Sequence, residues 1–265
     1  MSDVAVPCIN VLGVGVHAVN ISRVTSLVES ALTRGGKYYV CFTGVHGVME
    51  AQKDTGLKTI LNSSFLNVPD GRPTVWVGWI QGFAEMDQVG GPELMLEVCR
   101  LSVQKAYTHF LFGGNPGVAE TLRATLLRRF PGIRIVGTYT PPFRPLNPQE
   151  EADLQHIVGE TSPDIFWVGI STPKQEKFMA EYLGKLNTKM MFGVGAAFDF
   201  HTGRAKSAPQ WMKRAGLAWF HRFCQDPGRL WQRYLFNIPR FLCAITLQLL
   251  GWRTCTLERH TSAGT

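Results

Sequence analysis

HFLFGGNPGVAETLRATLLRRF, residues 109–130, is the stretch on which the fold reading turns. Its apolar, aromatic start runs into paired glycines, and a segment with helical spacing of Leu, Ala and Arg follows, so it reads as strand, tight turn and helix. The same unit recurs on both sides. Downstream, IRIVGT (133–138) leads into a helix around 148–160, DIFWVGI (164–170) precedes a helix in PKQEKFMAEYLGKL, and KMMFGVGAAF (189–198) is a further strand. Upstream, an N-terminal apolar segment reads as a strand or hairpin and YYVCFTG (38–44) as a strand. Val48 to Asn62 carries helical spacing, FLNVPDG (65–71) is a short strand closed by a turn, and Pro92 to Lys105 is a helix with proline in its first turn. This rhythm predicts an α/β fold: a Rossmann-like, mostly parallel sheet with helices on both faces. Ligands of such sheets bind at the carboxyl ends of the strands.

The chain has 265 residues, 45% hydrophobic and 18% charged, enough for one full core and a small appendage. Six cysteines lie scattered with no C-x-x-C pair, which speaks against a zinc site or a disulfide framework and for reduced thiols in the cytosol. The N-terminus lacks a basic start leading into an unbroken apolar run, so no signal peptide is expected. The net charge of +7 is concentrated, because ten basic and two acidic side chains fall between residues 204 and 259. Such a block predicts an anionic partner. From about Ser207, arginines are interleaved with Trp, Phe, Tyr and Leu. The apolar portion near Phe241–Trp252 is shorter than the roughly 20 residues of a bilayer crossing. The expected organisation is a Rossmann-like core, residues 1–206, and a helical appendage, residues 207–265, that lies on a membrane surface. The aromatic and leucine content suits lipid better than nucleic acid, and no nucleic-acid partner is expected.

Candidate chemistry gathers at strand ends. Gly113, Gly114 and Asn115 form either a tight βα turn or a phosphate cradle whose helix N-terminus favours an anion. Gly137 with Thr138, Gly169 with Ser171-Thr172, and Gly193–Gly195 end three further strands beside it. Lys174 could meet a phosphate and Gln175 a base or ribose, or both simply open a helix. Asp70, in Val68-Pro69-Asp70-Gly71, reads either as a turn residue or as a carboxylate able to take a proton from a sugar hydroxyl. Asp199 closes an apolar strand in this reading, and Thr43 and His46 follow the first clear strand. There is no D-x-D pair and no His/Cys/Asp cluster at metal spacing. No metal or cofactor is therefore expected, and a leaving group would be stabilised by backbone N–H groups and cationic side chains. A nicotinamide-type oxidoreductase is disfavoured, since the glycine turn lies mid-chain and lacks the full dinucleotide fingerprint.

Taken in order, Pro69-Asp70-Gly71, LFGGNPGVAE, PGIRIVGT, Pro173-Lys174-Gln175-Glu176, VGAAFDFHTGRAKSAPQW and RAGLAWFHRFCQDPGRLWQRY resemble the WecG/TagA/CpsF glycosyltransferases (glycosyltransferase family 26), from about Val11 to Phe241. The resemblance implies an inverting, metal-independent enzyme at the cytosolic face of a bacterial membrane. It would move a sugar of the hexose or N-acetylhexosamine type from a UDP-sugar to an undecaprenyl-diphosphate-linked saccharide in cell-surface polysaccharide synthesis. By position it makes Asp70 the general base and Thr43 its neighbour in the active site. Gln175 and Asp199 become pocket residues, and the C-terminal arginines, Arg222, Arg229 and Arg233 among them, become diphosphate and membrane contacts. The wording GVHGVMEA points to an exopolysaccharide branch. Two departures bear on activity: Val45 or His46 stands where the family has an asparagine, and Gln88 stands where it has an arginine, so that charge must come from Lys174, Arg72 or a C-terminal arginine, or turnover is impaired and the chain is a membrane-docked nucleotide-sugar binder. A homo-oligomer is left open.

Overall fold

Short β-branched and aromatic runs, most of them ended by glycine or proline, build the sheet, and helices connect most of them. The computed structural model describes residues 6–257. In chain order, β1 (Cys8–Val11) and β2 (Val14–His17) are followed by α1 (Ile21–Arg34), β3 (Tyr38–Thr43), α2 (Val45–Ala51), α3 (Thr55–Asn62), β4 (Leu66–Pro69) and α4 (Arg72–Ile80). Next come α5 (Gly91–Lys105), β5 (Thr108–Gly113), α6 (Val118–Arg129), β6 (Arg134–Tyr139), α7 (Pro148–Thr161), β7 (Ile165–Gly169), α8 (Lys174–Tyr182), β8 (Met190–Gly193) and α9 (Ala197–His201). The chain closes with α10 (Gln210–Arg214), α11 (Ala218–Gln225), α12 (Pro227–Leu235) and α13 (Asn237–Leu249).

β1 and β2 form an antiparallel hairpin, and the main sheet has the order β4-β3-β8-β7-β5-β6. The pairs β3/β8, β8/β7, β7/β5 and β5/β6 are parallel, as the sequence predicts for strands joined through helices. Two compact units are distinguished along the chain. One gathers the described residues of Met1–Ile21, Phe42–Gly90 and Lys206–Ser262; the other comprises Ser22–Cys41 and Gly91–Ala205.

The core of the second unit is aromatic. Phe110 stacks on Phe166, Phe112 on Phe178, and Trp167 on Phe192, with centroids 5.1, 4.4 and 4.6 Å apart. His109 is fully buried beside them, and its Nδ1 accepts a 2.9 Å hydrogen bond from Trp167 Nε1. That bond fixes the neutral tautomer, and burial pushes the imidazole down to about 3.

In the first unit, α13 is not a superficial helix on all sides. Phe241, Ala244 and Ile245 are buried, while Leu242, Leu249 and Leu250 face outward. Gln248, the polar interruption in the apolar C-terminal run, fastens α13 to the hairpin: its Oε1 accepts from the Leu12 amide at 2.7 Å and its Nε2 donates to the Asn10 carbonyl at 2.8 Å. Asn10 Nδ2 in turn donates to the Cys255 carbonyl at 2.6 Å. No helix among the described residues is long and apolar enough to cross a membrane.

Three sequence expectations are corrected. The stretch from Val48 to Asn62 is not one helix: α2 ends at Ala51, and α3 starts afresh because the Asp54 side chain caps it, accepting from the Leu57 amide at 3.0 Å. The strand read over 189–198 stops at Gly193. Asp199 consequently does not close a strand but lies on α9.

Candidate functional site

In the first unit, the turn at Asp70 is held by backbone contacts from two directions. The Asp70 amide donates to the Thr43 carbonyl at 3.1 Å, joining the ends of β4 and β3. On the other side the Val89 amide donates to the Pro69 carbonyl at 2.8 Å, and the Asp87 amide to the Val19 carbonyl at 3.1 Å. Gly71 adopts φ 124 and caps α4, so the chain turns sharply after Asp70 and leaves that side chain exposed. Gly44 sits against this turn. A Cβ there would lie 2.2 Å from the Asp70 carbonyl oxygen, so only glycine lets the two strand ends approach this closely.

Thr43 is buried at 1% exposure, directly before that glycine. His46 lies on the first turn of α2, with its Nδ1 3.5 Å from Asn237 Nδ2 on α13 and 4.0 Å from Glu50. Gln88 is half-buried between Asp87 and Val89, next to the Asp70 turn. The Arg72 guanidinium donates to Asp87 Oδ1 at 2.7 Å, and the Gln88 amide donates to the same oxygen at 2.8 Å. Arg72 therefore brings a cation within two residues of Asp70, and its buried Nε has no hydrogen-bond partner among the described residues. Arg222 is half-buried on α11. The side chains of Arg229 and Arg233 lie outside the described residues.

In the second unit the structure brings Gly113, Gly114 and Gly169 together at the ends of β5 and β7. Gly113 has φ 130, and a Cβ on it would lie 2.6 Å from the Gly169 carbonyl oxygen. The Gly114 amide donates to that carbonyl at 3.0 Å. The paired glycines thus have a packing cause, and the Gly114 N–H is already engaged within the protein. Asn115 is exposed, and its carbonyl accepts from the Val118 amide at 3.0 Å at the start of α6. Gly137 packs its backbone on the Phe110 ring. Thr138 Oγ1 donates to Glu120 Oε1 at 3.2 Å, and Lys174 Nζ to the Phe143 carbonyl at 3.4 Å.

Gln175 is buried, 3% exposed. Its Nε2 donates to the Gly193 carbonyl at 2.6 Å and to Glu176 Oε1 at 3.0 Å, while its Oε1 has no hydrogen-bond partner among the described residues. Glu176 Oε1 also accepts from Thr172 Oγ1 at 2.9 Å. A buried amide oxygen left open is a costly arrangement unless a donor reaches it, so Gln175 can accept from a bound group. Asp199 is 41% exposed on α9, 3.7 Å from Arg204 Nε.

Gly44, Asn237 and Glu176 belong to these groupings, and sequence reasoning did not single them out. Pro173-Lys174-Gln175-Glu176 was available as a motif, but nothing local marks Gly44 or couples Asn237 to His46, 191 positions away. Among the described residues no group of three or more His, Cys, Asp or Glu side chains is arranged to hold a metal.

Comparison with known proteins comes to the same region of sequence space. Residues 9–254 match the model described as the Glycosyl transferase WecG/TagA/CpsF family. A relative from Bacillus subtilis is 28% identical over 195 residues, covering 74% of this chain and 73% of the relative. One from Bacillus spizizenii is 28% identical over 197 residues, covering 74% of each. Both are described as N-acetylglucosaminyldiphosphoundecaprenol N-acetyl-beta-D-mannosaminyltransferase.

Proposed function

The chain belongs to the WecG/TagA/CpsF family and is a glycosyltransferase, and we propose that it transfers a hexose or N-acetylhexosamine-type sugar from a UDP-sugar to a saccharide carried on polyprenyl diphosphate. The observation that carries this reading is the Asp70 turn, where an exposed carboxylate is held by main-chain contacts to Thr43 and by the glycine approach at Gly44. Main-chain contacts that fix the turn keep its carboxylate aimed outward, which suits proton abstraction. The acceptor hydroxyl oxygen attacks the anomeric carbon, the bond from that carbon to the diphosphate oxygen breaks, and UDP departs with the electron pair. Asp70 takes the hydroxyl proton, and the configuration at the anomeric carbon inverts.

The acceptor class is supported by the two Bacillus relatives, whose names specify a sugar on diphosphoundecaprenol. The leaving diphosphate needs positive charge or N–H donors. Arg72 and the C-terminal arginines are the supporting candidates, and the mechanism requires no metal. Membrane attachment at the cytosolic face, within cell-surface polysaccharide synthesis of the exopolysaccharide type, is supported by the basic, aromatic composition after Ser207. Gln88 favours a second reading, a nucleotide-sugar binder with impaired turnover.

The test is a screen of UDP-sugars against a short-chain diphosphate-linked saccharide, read by mass spectrometry, for the native chain and Asp70→Asn. The expected result is a product with the native chain, none with the variant, and equal UDP binding by both. Full activity in Asp70→Asn overturns the role of Asp70, and UDP-sugar binding with no product from any acceptor supports the second reading.

A further inference from the structure

We infer that α4, the helix that begins directly after Asp70, is itself a lipid-contacting element that seats the site against the membrane; this rests on the membrane-docked reading above. The helix reads RPTVWVGWI, and after its first turn it is apolar on every side. Thr74, Val75, Val77 and Gly78 are buried, which accounts for one face. Trp76, Trp79 and Ile80 fall at helical spacings of three and four on the opposite face, exposed by 42%, 45% and 67%. A helix apolar all round is otherwise found in a protein core or in lipid, so this outer face calls for an apolar neighbour.

Lipid is the occupant that the surroundings specify. Trp79 turns its Nε1 inward to the Met86 carbonyl at 2.8 Å, leaving carbon surface outward. Trp76 adjoins the turn between α10 and α11, since a Cβ at Gly216 would lie 2.9 Å from its ring. The patch is therefore continuous with the C-terminal segment of the same unit, which adds exposed Trp211, Phe220, Trp231 and Trp252. That segment carries ten basic and two acidic side chains over residues 204–259. Exposed tryptophan interleaved with positive charge matches the boundary of an anionic bilayer, whereas a second copy of this chain would bring like charge to like. Every exposed tryptophan among the described residues lies in this unit.

The test is co-sedimentation with vesicles of phosphatidylcholine containing roughly one third phosphatidylglycerol, using the native chain, Ile80→Asp, Ile80→Ser and Trp252→Ser. Ile80 is the most exposed residue of this face, at 67%, so its substitution leaves the buried face of α4 in place, and circular dichroism checks the fold. The expected result is vesicle binding about tenfold weaker for Ile80→Asp, a smaller loss for Ile80→Ser, and unchanged transfer to a short-chain soluble acceptor. Native binding with both Ile80 variants unimpaired and Trp252→Ser impaired overturns the role of α4 alone. No binding by the native chain overturns membrane docking as well. An Ile80 variant that dissociates a dimer in sedimentation while binding vesicles normally assigns the face to a second copy and also overturns the inference.

Discussion

Replacing Gly44 by alanine tests whether the turn at Asp70 is set by backbone contact. The torsions of Gly44, φ −107 and ψ −169, are extended and open to any residue, so alanine introduces no torsional strain. The conflict is steric only. The new methyl would sit 2.2 Å from the Asp70 carbonyl oxygen, more than an ångström inside ordinary contact. Both partners are main chain at a strand end, so relief must come from moving the Asp70 turn. Overpacking of this kind costs about 1–3 kcal/mol, within what a folded chain tolerates. A displacement of about 1 Å in a reacting group, by contrast, costs on the order of a hundredfold in rate. Gly44→Ala should therefore lower kcat roughly a hundredfold, with a modest fall in Tm and little change in the affinity for UDP. Gly159→Ala serves as control, because a Cβ there meets nothing within 4 Å and the residue lies in the last turn of α7, where alanine is favoured over glycine. Initial rates and thermal unfolding on the two variants decide the matter. A Gly44→Ala enzyme with native kcat would refute the claim that close backbone approach positions Asp70.

The buried, neutral His109 makes stability depend on pH. Its folded-state pKa of about 3 lies below the ordinary 6.5, so the unfolded chain binds the extra proton first and stability falls as pH drops below about 6.5. By pH 5 the loss should reach about 2 kcal/mol, seen as a falling urea midpoint, and His109→Gln should flatten that slope; a native profile that stays level to pH 5 would contradict it. Gln175→Leu keeps the volume but removes a buried donor from the Gly193 carbonyl and from Glu176. A destabilisation of about 1–3 kcal/mol in urea unfolding is expected, and an unchanged midpoint would mean that the amide is not needed there.

Much of the architecture was legible because its strands carry their boundaries in sequence. HFLFGG and DIFWVGI are apolar runs ended by glycine, and β5 and β7 lie where those runs predict. The misreadings have local causes. KMMFGVGAAF continues to look β-rich past Gly193, yet α9 starts at Ala197. The break between α2 and α3 depends on one capping side chain, Asp54, within a helical pattern. The wording of α4, rich in Val and Trp, gives no amphipathic period, so the helix after Asp70 was not foreseen. At the site, residue types at strand ends were visible, but the need for glycine at position 44 depends on Asp70 arriving from another strand. The open oxygen of Gln175 likewise depends on what Gly193 and Glu176 do with its amide hydrogens. Such facts belong to tertiary approach and have no signature in spacing.

The clasp formed by Gln248 and Asn10 bears on how this protein should be dissected. Cutting the chain before α10 to remove its presumed anchor would also strip the Leu12 amide and the Asn10 carbonyl of a hydrogen-bonding partner and uncover the surface that Phe241 and Ile245 occupy. Lost activity or insolubility in such a fragment would then report a torn N-terminal hairpin as readily as a missing anchor. Outward-facing substitutions at Leu242, Leu250 or Trp252 leave the clasp intact, and they make the cleaner surgical instrument.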